Sequence, residues 1–306
     1  YDKIVKKLDI GDIVGISGTL FRTRTNQLSI NVTSIDLLSK SIRPLPNMKE
    51  KDGHMYFSFD DKENRYRYRH LDLIVNPNNK NIFRNRSKII YRIRQILNEK
   101  GFMEVETPVL QNLHGGAAAR PFKTHHNALD QDFYLRIAEE LYLKRLLVGG
   151  FEKIYEIGKN FRNEGIDRTH NPEFTMLELY EAYSDVNDMM DLCENLIKNI
   201  CQDLNIESVS FMNEKKNLKN NFNKVSMQDL FKNEFDCDIL SLDAKELHSL
   251  CLKQKVDVDK KMTYGQLFDK LFSTCIEPKL IQPTFVYDYP KSISPLAKVH
   301  REDERL

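Results

Sequence analysis

The chain has 306 residues, 41% hydrophobic and 30% charged, a length that can bury a full core and a profile that excludes a disordered or membrane-spanning protein. Its formal net charge of +1 sets up no global field to recruit nucleic acid or a membrane surface, and leaves only local basic patches for that work. No apolar run reaches membrane-spanning length and no signal-type segment opens the sequence. Five scattered cysteines (Cys193, Cys201, Cys237, Cys251, Cys275) without a CxxC pair argue against a disulfide framework or zinc site and for a reducing compartment.

Residues 1–38 read as short β-strands, with Gly11, Gly15 and Gly18 as turn or bulge points and an alternating run from Leu28 to Val32, as in a small antiparallel barrel or its last strands. Pro44 and Pro46 break that pattern, and 47–64 is charged and irregular, as a linker would be. The run RYRYRHLDLIVN (65–76) has two readings: a nucleic-acid patch, or a surface helix whose aromatics anchor in the core. From Asn81 a helix is expected, with Ile82, Ile89, Ile93, Ile96 and Leu97 at helical spacing and Gly101 at its end. FMEVETPVL then reads as a strand closed at Pro108, followed by the loop HGGAAARPF and strands near 119–124 and 133–138. A helix from about Glu139 to Val148 ends at Gly149-Gly150. After the strands KIYEIGKNF and EFTMLELYEAY, an amphipathic helix is expected over 186–204, and the Asn/Lys-rich 205–225 reads as a surface excursion. Several short helices and a strand in QPTFVYDYP complete the chain. Strands separated by helices, with a long hairpin between, predict an α+β fold: a mixed or antiparallel sheet flanked by helices. Neither GxGxxG nor GxxxxGK[ST] is present, so no standard glycine loop cradles a phosphate.

The stretch FRNEGIDRTHNPEF (161–174) is the most heavily functionalised in the chain, with Arg162, Arg168 and His170 between two strands. Alternation puts Phe174, Met176, Glu178 and Tyr180 on one face, and Leu177 and Leu179 on the other. On the partner strand, Glu156, Gly158, Asn160 and Arg162 share a face opposite Tyr155, Ile157 and Phe161. If the leucines face the core, one surface combines an arginine, an aromatic plane, a carboxylate and a phenol. Such a surface could bind a phosphate, a base and an amine; spacing alone leaves open a solvated sheet face with ordinary ion pairs.

FRNEGIDRTHNPEFTMLELYEAY resembles the motif 2 hairpin of class II aminoacyl-tRNA synthetases, GFMEVETPVL resembles their motif 1, and GGAAARPFKTHHNALDQDFYLRIAEELYLKRLLVGG is similar to the lysyl-tRNA synthetases. The resemblance implies the last strands of an OB-fold anticodon-binding domain at 1–46, a linker and hinge at 47–80, and an incomplete class II catalytic domain at 81–306, an antiparallel sheet flanked by helices. It implies ATP-dependent ligation of L-lysine to tRNA(Lys) through a lysyl-adenylate. Catalysis would rest on Arg162, bridging the ATP α-phosphate and the lysine carboxylate, with Asn163, Glu164, His170, Asn171 and Phe174 around the nucleotide. The lysine amines would meet Glu140 and the Gly116 carbonyl at one end, Glu178 and Tyr180 at the other. Motif 1, ending at Pro108, implies a homodimer. Motif 3 and the Mg2+ ligands would lie C-terminal to Leu306, so no metal ligand is expected in this stretch. The chain begins at Tyr1 and stops within HREDERL, as a piece of a longer, cytoplasmic or organellar, non-membrane protein that alone would be inactive. The alternatives are lysylation of elongation factor P, against which the strands at 1–38 count, and a truncated paralogue acting as a binding module.

Overall fold

The computed structural model describes residues 5–43, 45–46, 59, 61–167, 169–211, 214–294 and 296–306, with the backbone of 48–51 and 54–57. Pro44 and Arg168 lie outside the described residues. The chain forms two compact units, 1–89 and 90–306.

In the first unit, β1 (Ile13–Arg22) and β2 (Leu28–Ser39) form a long antiparallel ribbon with register shifts at Ile13/Val14 and Ser17/Gly18. Gly18 is required at its shift, because a Cβ there would lie 2.2 Å from the carbonyl oxygen of Asn31. Where the sequence reads as an irregular linker, β3 (Met48–Lys51) pairs with β4 (His54–Phe57). The basic run folds as α1 (Lys62–Arg67) and α2 (Arg69–Val75), leading into α3 (Asn79–Glu99). Its aromatics are not core anchors, since Tyr66 and Tyr68 are exposed. The buried element is Asp72, whose carboxylate accepts from Arg65 Nε (2.8 Å), Arg69 Nη1 (2.6 Å), Asn76 Nδ2 (2.9 Å) and Asn79 Nδ2 (3.0 Å). Two of the run's arginines are thereby engaged inside the fold, and Arg67 pairs with Glu63.

The second unit is built around a mixed three-stranded sheet. Antiparallel β9 (Lys153–Phe161) and β10 (Glu173–Glu181) pair with Glu173 opposite Phe161 and Glu178 opposite Glu156. The two-residue β5 (Met103–Glu104) runs parallel to β9. A second sheet takes the order β6 (Leu110–Gln111), β8 (Gln131–Leu135), β7 (Lys123–His126), all antiparallel. FMEVETPVL is therefore not one strand. Between its two ends the Thr107 carbonyl and hydroxyl accept from the Arg136 guanidinium, so that backbone serves a side chain rather than a ladder. Helix α4 (Glu140–Val148) ends at Gly149, with Gly150 at φ 102°. Helix α5 (Val186–Asp203) opens on a capping box in which the Asp185 carboxylate accepts from the Asn187 and Asp188 amides and Asp188 returns a bond to the Asp185 amide.

One face of the β9–β10 hairpin is core. Tyr155 packs with Leu97, Phe102 and Leu192, and Ile157, Leu177, Leu179, Ile93 and Met189 close around them, each buried large apolar side chain contributing roughly 1.5–3 kcal/mol. The alternation read from the sequence has the leucines on this side. The segment 205–225 is not featureless: β11 (Ser208–Phe211) pairs with β12 (Glu214–Asn217), and Lys216 is buried against Glu214. A further core gathers on α6 (Met227–Phe235), α7 (Ala244–Lys253) and α8 (Tyr264–Leu271), with Phe231 and Phe268 ring centres 4.6 Å apart. Beside it, β13 (Asn223–Ser226) and β14 (Thr284–Tyr287) form a parallel pair.

Candidate active site

The face of the hairpin opposite its core carries Glu156, Gly158, Asn160 and Arg162 from one strand, and Phe174, Met176, Glu178 and Tyr180 from the other. The in-register pairing fixes this, since Asn160 lies opposite Phe174, Gly158 opposite Met176 and Glu156 opposite Glu178. Arg162 follows the last residue of β9 and is held by its backbone amide, which donates to the Pro172 carbonyl (2.9 Å) across the hairpin mouth. Its Nε points at the Ile137 carbonyl (3.4 Å) and its guanidinium carbon lies 5.1 Å from the Phe174 ring centre. The arginine and the aromatic plane thus form one cationic, flat-walled corner.

At the other end of the face, the Glu178 carboxylate accepts from the Tyr180 hydroxyl (3.1 Å) and lies 3.4 Å from the amide nitrogen of Glu139, which donates to it. Burial, reinforced by the negative charge of Glu178, pushes the Tyr180 phenol well above its ordinary pKa, so it stays a neutral donor. Glu140 occupies the first turn of α4. Gly116, at φ 88°, sits against it: a Cβ on Gly116 would lie 3.1 Å from the Glu140 Cβ and 3.2 Å from that of Ala138. Only a glycine brings the loop backbone this close to the Glu140 carboxylate. That carboxylate holds an ammonium of the protein's own, Lys144 Nζ at 2.5 Å, which also lies 6.0 Å from the Tyr180 ring centre.

The loop between the strands is exposed. The Asn163 amide donates to the Arg120 carbonyl (2.8 Å), and Glu164 Oε1 accepts from the Arg120 amide (3.3 Å), so both are anchored to the segment before β7. His170 Nδ1 lies 2.8 Å from Asp167 Oδ2. Amide donors from Thr169 and the His170 ring hold the Asp167 carboxyl far below its ordinary range. The structure therefore brings Arg162, Phe174, Glu178 and Tyr180 onto one face and Gly116 against Glu140. It leaves Asn163, Glu164, His170 and Asn171 on an exposed loop, with His170 turned to Asp167. Pro108 is exposed, and its carbonyl accepts from the Gln111 side chain (3.1 Å).

Beneath the face lies a buried polar cluster that reading for ligand contacts missed. Arg136 donates to Glu156 Oε1 (2.5 Å) and the Lys159 carbonyl (2.9 Å). Glu156 Oε2 also accepts from the Thr107 hydroxyl (2.6 Å) and amide (3.2 Å). Asn160 Nδ2 donates to Glu139 Oε2 (2.6 Å) and lies 3.4 Å from Met176 Sδ. Glu156 and Asn160 share the alternation of Arg162, a signal that could have exposed them. Nothing in the pair Glu139-Glu140 signals which carboxylate is buried. Among the described residues no three His, Cys, Asp or Glu side chains gather to hold a metal ion, and no helix is long and apolar enough to cross a membrane.

The α+β unit thus presents, on one face of its antiparallel hairpin, Arg162 over Phe174 with Glu178 and Tyr180 further along, an anion-binding corner beside a carboxylate and a phenol. Residues 61–306 match the family model of the tRNA synthetases class II (D, K and N), and the chain belongs to that family. Its curated relatives narrow the comparison. It is 50% identical over 302 residues to a lysine–tRNA ligase of Azobacteroides pseudotrichonymphae, covering 98% of this chain and 60% of that protein. It is 48% identical over 308 residues to one of Porphyromonas gingivalis (100% and 53%) and 50% identical over 305 residues to one of Listeria monocytogenes (99% and 60%). The chain thus spans between 53% and 60% of the length of these relatives.

Proposed function

We propose that the protein from which this chain comes ligates L-lysine to tRNA(Lys) in two steps, with ATP as co-substrate. The observation that carries the reading is the single sheet face on which Arg162 lies over Phe174 while Glu178 and Tyr180 stand further along the same strand, with Glu140 in the first turn of α4. The lysine carboxylate oxygen attacks the α-phosphorus of ATP and displaces pyrophosphate, giving lysyl-adenylate; a ribose hydroxyl of the tRNA then attacks its carbonyl carbon and displaces AMP. Arg162 holds the α-phosphate and that carboxylate together, offsetting the repulsion between two anions; this is catalysis by positioning and electrostatics. Phe174 stacks on the adenine, while Asn163, Glu164, His170 and Asn171 close over the nucleotide from the loop. Glu140 and the Gly116 carbonyl receive the α-amine once Lys144 moves aside, and Glu178 with Tyr180 receives the ε-ammonium. A buried carboxylate facing an ammonium rejects amino acids that would leave it unpaired.

The same reading assigns 1–46 to the end of an OB-fold barrel, 47–80 to a linker and hinge, and 81–306 to the catalytic domain. Mg2+ would accompany ATP as its counter-ion. The segment around Pro108 exposes Met103, Val109, Leu110 and Leu113, apolar surface suited to a second copy of the chain in a homodimer. All five cysteines are free thiols, which favours a cytoplasmic protein. The test is charging of tRNA(Lys) with labelled lysine by the full-length protein; no charging with any tRNA pool would reject the reading.

A further inference from the structure

We infer that Glu139 is a neutral carboxylic acid, paired head to head with the Asn160 amide, and that as a neutral neighbour it positions the lysine-binding carboxylate Glu178. Arg136, Glu139 and Glu156 are 2%, 0% and 4% exposed, so one guanidinium is enclosed with two carboxyls. Arg136 Nη1 is 2.5 Å from Glu156 and Nη2 is 3.4 Å from Glu139. An enclosed cluster of one cation and two carboxylates carries an uncompensated charge, which the interior does not tolerate; a single proton removes it.

Hydrogen bonding decides which carboxyl takes that proton. Glu156 accepts from Arg136, from the Thr107 hydroxyl and from the Thr107 amide, three donors that already satisfy both of its oxygens and leave no acceptor in want of a proton. Glu139 accepts only from Asn160 Nδ2, at Oε2 (2.6 Å), while Glu139 Oε1, 3.4 Å from Arg136 Nη2, and Asn160 Oδ1 are both buried without a hydrogen bond. Two acceptor oxygens on side chains already bonded to each other lack one donor between them. A carboxylic acid and a primary amide match as donor and acceptor at once: Nδ2–H to Oε2, and Oε1–H back to Oδ1. One proton on Oε1 thus satisfies both orphaned oxygens and neutralises the cluster.

The surrounding charges favour the same state. Burial pushes the Glu139 carboxyl up; the Asn160 hydrogen bond and the positive charge of Arg136 oppose this, and the negative charge of Glu178 adds to it. The charged or titratable groups around it are Arg136 before α4, Glu156 on β9, and Glu178 and Tyr180 on β10. Glu140, next along α4, is engaged by Lys144. An ionised Glu139 would repel Glu178, to which its own amide donates; a neutral one removes that repulsion and leaves Glu178 to face an ammonium. This last consequence rests on the lysine reading of Glu178, whereas the protonation does not.

The test is infrared spectroscopy of the 306-residue chain at neutral pH. Surface carboxyls are ionised there, so a protonated-acid carbonyl band reports a buried neutral carboxyl. The expected result is such a band in the wild type and its loss in Glu139→Gln. If Glu139→Gln does not fold, Glu156→Gln substitutes: with Glu156 neutral, Glu139 becomes the counter-ion of Arg136 and the band again disappears. A folded-state proton also gives a pH signature that a purely steric role would not. The carboxyl's raised value favours the fold fully below its unfolded value near 4.3 and loses that contribution as pH rises. The denaturation midpoint of the wild type relative to Glu139→Gln should therefore fall as pH rises above that unfolded value. Absence of the band in the wild type, its persistence in Glu139→Gln, or a flat difference in midpoint overturns the inference. A band in a protein that does not bind lysine would support the proton and reject the substrate reading alone.

Discussion

Replacing Glu178 with Gln tests the substrate assignment at its most specific point. Glu178 is half-buried on β10 and accepts from the Tyr180 hydroxyl (3.1 Å) and the Glu139 amide (3.4 Å). Glutamine keeps the volume and one acceptor oxygen, so the hairpin should hold its register, and the core face around Leu177 and Leu179 is untouched. What is lost is the charge that meets the substrate ammonium. Removing one member of a desolvated charge pair costs about 3–5 kcal/mol; because this site is only partly enclosed, about 2–3 kcal/mol is the better figure, a weakening of lysine binding by roughly 30- to 150-fold. Norleucine, which lacks the amine, should bind wild type and variant alike, and ATP affinity should be nearly constant. Isothermal calorimetry on the full-length protein with each ligand reads all three quantities. Unchanged lysine affinity, or an equal loss for norleucine, would refute the reasoning and remove Tyr180 from the pocket as well, since it lies two residues along the same face.

Arg162→Ala should lower adenylate formation by at least about 100-fold with little change in folding stability. Arg162→Lys should fail similarly, because a point charge does not span two oxyanions as a planar fork does; pre-steady-state adenylate yield measures both. Phe174→Ala should raise the KM for ATP, by about the 1–3 kcal/mol of aromatic–base stacking, more than that for lysine; equal effects in steady-state kinetics would make Phe174 a hairpin-packing residue. Lys144→Met removes the ammonium seated on Glu140 and should tighten lysine binding by roughly two- to fivefold, the range of a half-exposed ion pair, read by the same calorimetry. Asp72→Ala strips the anion from Arg65 and Arg69, which are about one-third exposed, and should destabilise by about 2–3 kcal/mol in denaturant melts. Although burial opposes it, bonds from Asn76, Arg65, Asn79 and Arg69 hold the Asp72 carboxyl far below its ordinary value. Its stabilisation is therefore present above the unfolded value near 3.9 and lost as pH falls, so the acid-induced loss in the wild type should be smaller in the variant.

How far the site could be read in advance follows from which forces set each part. The β9–β10 faces were legible because a half-buried strand has period two, and the loop length fixes the register that puts Arg162 at the mouth and Phe174 beside it. Helices α3, α4 and α5 were legible from their apolar stripes, the first two also from the end signals Gly101 and Gly149-Gly150. FMEVETPVL misled because its alternation is real but its backbone, at Thr107, is occupied by Arg136. The β13–β14 pair is parallel and joins segments some sixty residues apart, a contact no local pattern encodes. Asp72 and Glu139 were invisible for a common reason: a buried carboxylate looks like a surface one until the arginines and amides that surround it are placed.

The central claim is that the face bearing Arg162, Glu178 and Tyr180 activates lysine, and the most direct measurement is amino-acid-dependent ATP–pyrophosphate exchange by the full-length protein. The family includes synthetases for aspartate, lysine and asparagine, so each of these amino acids should be offered separately. The account predicts exchange with lysine alone, abolished by Arg162→Ala and sharply weakened at subsaturating lysine by Glu178→Gln. Exchange driven by aspartate or asparagine, or lysine-driven exchange indifferent to both substitutions, would contradict it.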